Sequence, residues 1–220
     1  MQNLKKLKLP ISDYLYLLER AYSEKSALKL VGDHYRLDKT ERNILFRGVF
    51  NKKVVKYRKA KQTKLYRIKN YPLSIDGYNN IITLESYLKG KPVFMAMDGL
   101  LRDSSGIHGS FKQSPLTEKS IELLLEFCQL HKPQEIVIYL DQPVSYSGEL
   151  AKYIQTKIMQ KKLSGTVKVV PSADYFLKNE KGIVSTSDSA IIDNCRMCID
   201  LPYYIISKKF KKNVPQLTVY

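Results

Sequence analysis

The sequence of 220 residues lacks the features of secreted and membrane-spanning proteins. Its three cysteines, Cys128, Cys195 and Cys198, do not make the disulfide framework of a small secreted domain. No apolar run approaches the roughly 20 residues needed to cross a bilayer. The first six residues contain no apolar segment of the kind found in signal peptides. We therefore expect a cytoplasmic protein that does not use a membrane as its partner.

Common cofactor motifs are also missing. The chain contains neither a Walker A motif nor a Gly-x-Gly-x-x-Gly motif, so nothing supports nucleotide binding of those kinds. Cys195 and Cys198 have the spacing of a zinc or redox pair, but a zinc site would need ligands from distant parts of the chain. We expect these cysteines to pack as small hydrophobic side chains.

Acidic residues are scarce in the first third of the chain, and none occurs between Asn43 and Ile75. Residues 1–70 hold 19 Lys and Arg against 6 Asp and Glu, which is +13 of the total charge of +16. This asymmetry is typical of a basic docking module beside a nearly neutral working domain, and it makes nucleic acid the expected partner. The alternative is a basic surface that serves solubility.

The basic region begins with helical patterns over residues 11–49. Ser12 is predicted to cap a first helix, and a second covers residues 26–31. Asp38 and Glu41 resemble a capping box that opens a third helix. The outline is that of a helix-turn-helix unit, although many helical hairpins share it.

Residues 47–69 form the most basic stretch, which we interpret either as containing a strand at Val54 and Val55 or as a flexible connector. Lysines and arginines interleaved with Tyr57 and Tyr66 suit phosphate contacts and base stacking. A solvated linker is the alternative. The predicted nucleic-acid contacts in this stretch are Arg47, Lys52, Lys53, Lys56, Arg58 and Lys59.

From residue 71 short apolar runs alternate with helical patterns, which is typical of βαβ units and a parallel sheet. We predict an α/β domain over residues 71–220, with three α/β/α layers and a mostly parallel sheet, preceded by a basic helical module over residues 1–70. The predicted strands cover residues 72–75, 92–97, 135–140, 167–170 and 182–186. The predicted helices between them cover residues 116–131 and 147–162.

Four of the five predicted strands lead directly into an aspartate, namely Asp76, Asp98, Asp141 and Asp188. In an open parallel sheet, ligands bind beyond the carboxyl ends of the strands. Neighbouring carboxylates there would repel by roughly 4 kcal/mol at ~4 Å and an effective dielectric near 20, so a cluster takes up protons or cations. Such a group predicts a Mg²⁺ or Mn²⁺ site that promotes phosphodiester cleavage. Taken singly, each aspartate is better explained by a helix cap or a turn, and the case for a site rests on the four together.

Further polar residues surround these strand ends. Asn79 is predicted to hold a water or the substrate backbone. The loop over residues 98–112 carries Arg102, His108 and Lys112, which could clamp a phosphate, although it also fits an ordinary long loop. The additional candidate acidic ligands are Glu149, Asp174 and Asp193.

Two segments, residues 26–37 and 41–48, resemble the family catalogued as domain of unknown function 434. The remainder looks like the domain usually found after it, and the similarity rests on the motifs at residues 75–79 and 186–193. The resemblance spans nearly the whole chain and implies no activity by itself.

The motifs Asp-Gly-Tyr-Asn at residues 76–79 and Thr-Ser-Asp at residues 186–188 are also similar to PIN-like nucleases of the NYN type. That resemblance implies Mg²⁺ or Mn²⁺ held by Asp76 and Asp188, with Asp141 between them, and cleavage of RNA. The strand ending at Asp98 reads as an insertion relative to that superfamily. The intermediate acidic residue could instead be Glu149 or Asp174.

The combined prediction is a metal-dependent nuclease that acts on RNA more readily than on DNA. A nucleic-acid-binding protein without catalysis and a small-molecule phosphoesterase are the alternatives. The predicted catalytic residues are Asp76, Asn79, Asp98, Asp141 and Asp188. The predicted metal ligands are Asp76, Asp98, Asp141, Glu149, Asp188 and Asp193.

Overall fold

A computed structural model describes residues 6–104 and 111–217, and the chain begins with a helical module. The predicted capping box is confirmed: Glu41 N donates to Asp38 Oδ1 over 2.8 Å, and Asp38 N donates to Glu41 Oε2 over 2.9 Å. The module consists of α1 (Lys8–Glu19), α2 (Glu24–His34), α3 (Lys39–Gly48), α4 (Lys52–Lys61) and a 3-10 helix (Leu65–Asn70).

Helix α4 replaces the strand or flexible connector predicted at Val54 and Val55, and that prediction is wrong. Asn51 caps the helix by accepting a hydrogen bond from Val54 N, and the following Lys and Arg residues have good helix propensity. Arg58 is its buried residue, while most of its lysines are exposed. The middle of the most basic stretch is therefore a helix whose lysines are mostly exposed.

The second part of the chain is built on a five-stranded parallel sheet with the order β5-β4-β1-β6-β7. The chain runs outward from β1 through β4 to β5 and then returns to the other side of β1. This reversal places a topological switch point between β1 and β6, which is where ligands bind in open α/β sheets. The strands of the protein are β1 (Leu73–Asp76), β2 (Val93–Met95), β3 (Leu101–Asp103), β4 (Ile136–Asp141), β5 (Gly165–Val170), β6 (Ile183–Ser185) and β7 (Met197–Ile199).

Helices cover both faces of the parallel sheet, because alternate strand residues enter different cores. Ile136 and Ile138 belong to the larger core, and Tyr139 and Val184 belong to the core on the opposite face. None of the described helices has the length and apolarity needed to cross a membrane. The larger core is covered by α5 (Gly77–Leu88), α6 (Pro115–His131), α7 (Ser147–Gln160) and α10 (Leu201–Lys209). The opposite core is covered by α8 (Ala173–Lys178) and α9 (Ser189–Asn194).

Strand β2 does not join the parallel sheet. It pairs antiparallel with β3 in a separate two-stranded sheet, and Phe94 and Ala96 bury themselves in the core of the helical module. The prediction that Asp98 lies at the same sheet edge as the other strand-end aspartates is therefore wrong. Strands β3 and β7, of three residues each, were not predicted, and β3 includes the charged Arg102 and Asp103.

Candidate active site

A cleft of about 400 Å³ opens at the carboxyl ends of the parallel strands, beside the switch point. Four of its described lining residues are aspartates, and none is Lys, Arg or His. We call it the acidic cleft. It is lined by Asp76, Tyr78, Asn79, Ile82, Phe111, Asp141, Pro143, Val144, Ser172, Asp174 and Asp188.

Thr186 links the two aspartates that flank the switch point. Its hydroxyl donates to Asp76 Oδ2 over 2.8 Å and accepts a hydrogen bond from Asp188 N over 3.0 Å. Asn79 Oδ1 accepts hydrogen bonds from Ser187 N over 2.9 Å and Ser187 Oγ over 3.1 Å. Asn79 therefore positions the loop before Asp188 with its carbonyl oxygen while also lining the cleft.

Asn80 also connects the chain segment at Asp76 to the segment at Ser185. Its Nδ2 donates to Asp76 O over 2.8 Å and to Ser185 O over 2.9 Å, and Ser185 Oγ donates to Asn80 Oδ1 over 2.7 Å. Gly77 is required beside it, because a Cβ there would lie 2.7 Å from Tyr139 O. Asn80 and Thr186 were not predicted as site residues, although Thr186 lies within the motif at residues 186–188 and Asn80 directly follows the motif at residues 76–79.

The cap and turn explanations for the aspartates also hold. Asp76 caps α5, and Asp188 caps α9 by accepting at Oδ1 from Ala190 N over 2.8 Å. Asp141 Oδ1 accepts a hydrogen bond from Ala173 N over 2.8 Å. Across residues 6–104 and 111–217, however, neither Asp141 Oδ2 nor Asp188 Oδ2 receives a hydrogen bond. Backbone amides therefore engage one carboxylate oxygen of Asp141 and of Asp188 and leave the other available, whereas both oxygens of Asp76 accept hydrogen bonds. A cap and a ligand role are compatible at Asp188.

The carboxylates of the acidic cleft influence one another. Burial, followed by Asp188 and Asp174, raises the pKa of Asp76 from 3.8 to about 7, against hydrogen bonds from Thr186 and Asn79 N that lower it. Burial and then Asp188 also raise the pKa of Asp174. Burial and the neighbouring carboxylates thus both favour the protonated forms of Asp76 and Asp174.

Two further observations bear on whether a cation fits. The hydroxyl of Tyr78 lines the cleft and is buried without a hydrogen-bond partner in the described part of the chain. Among those same residues, no three acidic, His or Cys side chains have the spacing of a metal-binding group. The described residues therefore offer no closed protein cage for a cation, whereas Mg²⁺ in proteins is commonly held through one or two carboxylates and water molecules.

Asp76→Asn is expected to stabilise the cation-free protein at pH 8. A carboxyl group whose pKa is raised in the folded state stabilises the protein at pH values below its ordinary pKa of 3.8. This stabilisation is lost as the pH rises through the folded-state pKa of about 7. At about 1.4 kcal/mol for each pKa unit, Asp76→Asn should raise the free energy of unfolding at pH 8 by up to about 4 kcal/mol. Chemical unfolding of both proteins in EDTA at pH 4 and pH 8 measures it. Equal stability at pH 8 would contradict the buried charge.

Three other predicted ligands lie elsewhere. Asp98 is fully buried and bound by Arg102 Nη1 over 2.7 Å. Asp193 accepts hydrogen bonds from Arg58 Nε over 2.7 Å and Nη2 over 2.8 Å. Glu149 is exposed in the first turn of α7 and is not among the residues lining the cleft. In contrast, Asp174 lines the cleft, so the alternative acidic position raised by the sequence is present there.

Among the described residues, the predicted phosphate contacts divide into paired arginines and exposed lysines. Arg58 and Arg102 are buried in ion pairs, and Arg47 binds Asp103 with 14% of its side chain exposed, so these arginines are not free phosphate clamps. His108 lies outside the described residues. The exposed members are Lys52, Lys53, Lys56, Lys59 and Lys112.

Comparisons with known proteins identify the family. The model of the family described as Domain of unknown function (DUF5616) matches residues 65–204, and that described as Protein of unknown function (DUF434) matches residues 6–61. The chain is 39% identical over 191 residues to "Uncharacterized protein MJ0935" of Methanocaldococcus jannaschii, covering 86% of this chain and 91% of that protein. No solved structure matches the chain. The predicted resemblance to the domain of unknown function 434 is confirmed, and the chain belongs to the family described as Domain of unknown function (DUF5616).

Proposed function

We propose that the protein is a divalent-cation-dependent nuclease that cleaves RNA at the acidic cleft. The observation that carries this proposal is the cleft itself, where four aspartates meet at a switch point with no basic residue among its described lining. Ligand sites in open α/β sheets form at that point, and unbalanced carboxylates recruit cations.

The residues of the cleft have distinct roles in this proposal. Asp141 and Asp188 each present a carboxylate oxygen that backbone amides leave unbound, and Asp76 adds a third, titrating carboxyl. Thr186 and Asn79 fix the separation of the two chain segments. A bound Mg²⁺ or Mn²⁺ would neutralise phosphate charge and lower the pKa of an attacking water.

Helix α4 would deliver the substrate. Its Lys61 Nζ donates to the carbonyl oxygens of Ile192 over 2.9 Å and Asp193 over 2.7 Å, and Arg58 binds the Asp193 carboxylate. These bonds attach α4 to α9, the helix that begins after Asp188. In this proposal, a polyanion on the exposed lysines of α4 extends to the acidic cleft.

The finer assignment, a PIN-like fold of the NYN type acting on RNA, is part of the same proposal. The similarity lies in the Asp-Gly-Tyr-Asn and Thr-Ser-Asp motifs. Those motifs contain the side chains that bridge the switch point, namely Asn79, Thr186 and Ser187. Their hydrogen bonds give a physical reason for the two motifs to occur together.

The proposal is tested by incubating the purified protein with labelled single-stranded and structured RNA in Mg²⁺, in Mn²⁺ and in EDTA. We expect cleavage in the presence of either cation and none in EDTA. The same strands made of DNA determine the sugar preference. If no cleavage occurs under any of these conditions, the proposed nuclease function is contradicted.

Neutralising the exposed lysines of α4 is expected to weaken RNA binding and to flatten its salt dependence. For single strands each lost phosphate contact reduces the slope of log K against log salt by about 0.7, so the triple variant Lys52→Gln, Lys53→Gln, Lys56→Gln should lose about 2. Fluorescence anisotropy between about 50 and 200 mM salt measures both effects. A matched triple variant at exposed lysines elsewhere, Lys119→Gln, Lys152→Gln, Lys181→Gln, should bind like the wild type. Equal slopes in both variants contradict the role of α4.

A nucleic-acid-binding protein without catalysis is the second candidate. It is favoured by the lack of a close three-ligand group in the described residues. It predicts the same lysine-dependent, salt-sensitive binding but no cation-dependent cleavage. The two candidates therefore separate in the cleavage assay.

A further inference from the structure

A second cavity of about 450 Å³ lies between the helical module and the parallel-sheet domain. It meets the acidic cleft at Asp188, which lines both. We call it the seam cavity. It is lined by Glu24, Asn43, Phe46, Arg47, Phe50, Arg58, Arg102, Ser187, Asp188, Ser189, Ala190 and Asp193.

The wall of the seam cavity is aromatic and its arginines are already neutralised. Phe46 is 40% exposed, and Phe50 is buried with the guanidinium of Arg58 4.3 Å and that of Arg102 5.0 Å from its ring centre. Both arginines bind the Asp98 carboxylate. The seam cavity therefore offers little unpaired positive charge to an anion, but it offers the partly exposed ring of Phe46 to a planar ligand.

Polar groups on the same wall remain available. Asn43 Nδ2 donates to Ser104 O over 3.3 Å. Its Oδ1 and the hydroxyl of Ser189 have no hydrogen-bond partner within the described ranges. A pocket with an aromatic face and a few unengaged donors and acceptors matches the surface of a nucleobase, which has a π-face and a hydrogen-bonding edge.

We propose that the seam cavity receives one unpaired base of a single-stranded nucleic acid, stacked on Phe46, while the neighbouring phosphate lies at Asp188 in the acidic cleft. For that phosphate position, the inference rests on the proposed nuclease function. A paired base has its hydrogen-bonding edge engaged and its faces stacked in the duplex, so the proposed pocket favours single strands. The seam cavity thus gives Phe46 and Asn43 a role in choosing the substrate.

The test separates base recognition from phosphate attraction. A labelled pentanucleotide and the same strand without bases carry equal phosphate charge, and both are titrated in EDTA, where the proposed cleavage does not occur. Base stacking on a protein aromatic ring is worth about a 5- to 150-fold change in affinity. We expect the wild type to prefer the strand with bases within that range.

Phe46→Ala should remove this preference, whereas Phe46→Tyr should retain it because the ring remains. Leu130→Ala, at a residue 73% exposed on α6, is the matched truncation control and should bind like the wild type. Thermal unfolding of each variant verifies that the fold is intact. The inference is overturned if the wild type binds both strands equally, or if folded Phe46→Ala keeps the preference.

Failure of this inference is distinguishable from failure of the nuclease. If the wild type cleaves RNA with a cation but shows no base preference, and Phe46→Ala cleaves equally well, the base pocket is rejected and the nuclease function stands. If binding depends on the bases and on Phe46 but no cation supports cleavage, the base pocket stands and the nuclease function is rejected.

Discussion

Replacing Asp188 with asparagine is expected to reduce cation-dependent RNA cleavage by at least about 100-fold, since the charge stabilisation supplied through a metal ligand amounts to several kcal/mol. The amide oxygen of the substituted side chain can still accept the hydrogen bonds that Ala190 N and Ile191 N donate to Asp188 Oδ1. The helix cap is therefore kept while the negative charge is lost. Initial rates on a labelled single strand in Mg²⁺ and Mn²⁺ measure the effect.

Glu149→Gln is the matched control for this experiment. Glu149 is exposed on α7 and does not line the cleft, so the same charge-to-amide change should leave the rate unchanged. Asp76→Asn should match the loss seen with Asp188→Asn. If both cleft variants cut at the wild-type rate, the aspartates do not carry the chemistry and the proposed function fails.

Local signals explain why part of the fold could be predicted from the sequence. The capping box at Asp38 depends on residues three positions apart, and the apolar strands β1, β4 and β6 end where polar residues begin. Each such signal is contained within a few residues. Because parallel strands end at one edge, Asp76, Asp141 and Asp188 could be placed in one cleft before any coordinates.

Long-range pairing explains what could not be predicted. Arg58 binds Asp193, which lies 135 positions later, and Arg102 donates to Ser187 O, which lies 85 positions later. Nothing in the local sequence indicates that these arginines are buried. Asp98 followed an apolar run just as Asp76 did, but its strand belongs to a two-stranded sheet packed on the helical module.

Replacing Asp98 with asparagine is expected to destabilise the protein by about 3–5 kcal/mol, which is typical when one partner of a buried ion pair is removed. Asp98 is fully buried and accepts hydrogen bonds from Arg102 Nη1 over 2.7 Å, from Arg102 Nη2 over 2.8 Å and from Arg58 Nη1 over 3.2 Å. Burial alone would raise the pKa of Asp98, but Arg102 and Arg58 outweigh it and lower that pKa. Neutralising Asp98 leaves Arg102 buried without a carboxylate in the contacts described, while Arg58 keeps only Asp193.

Asp33→Asn is the matched control, because Asp33 pairs with Arg42 at a side chain that is 59% exposed, and exposed pairs are worth about 0–1 kcal/mol. Urea unfolding at neutral pH measures both variants. Because the pKa of Asp98 is lowered in the folded state, Asp98 stabilises the protein at pH values above its ordinary pKa of 3.8. This stabilisation is lost as the pH falls through the lowered pKa. The difference between Asp98→Asn and wild type should therefore shrink in strong acid. A loss no larger than that of Asp33→Asn would show that the network does not hold β3 and α4 against the loop before Asp188.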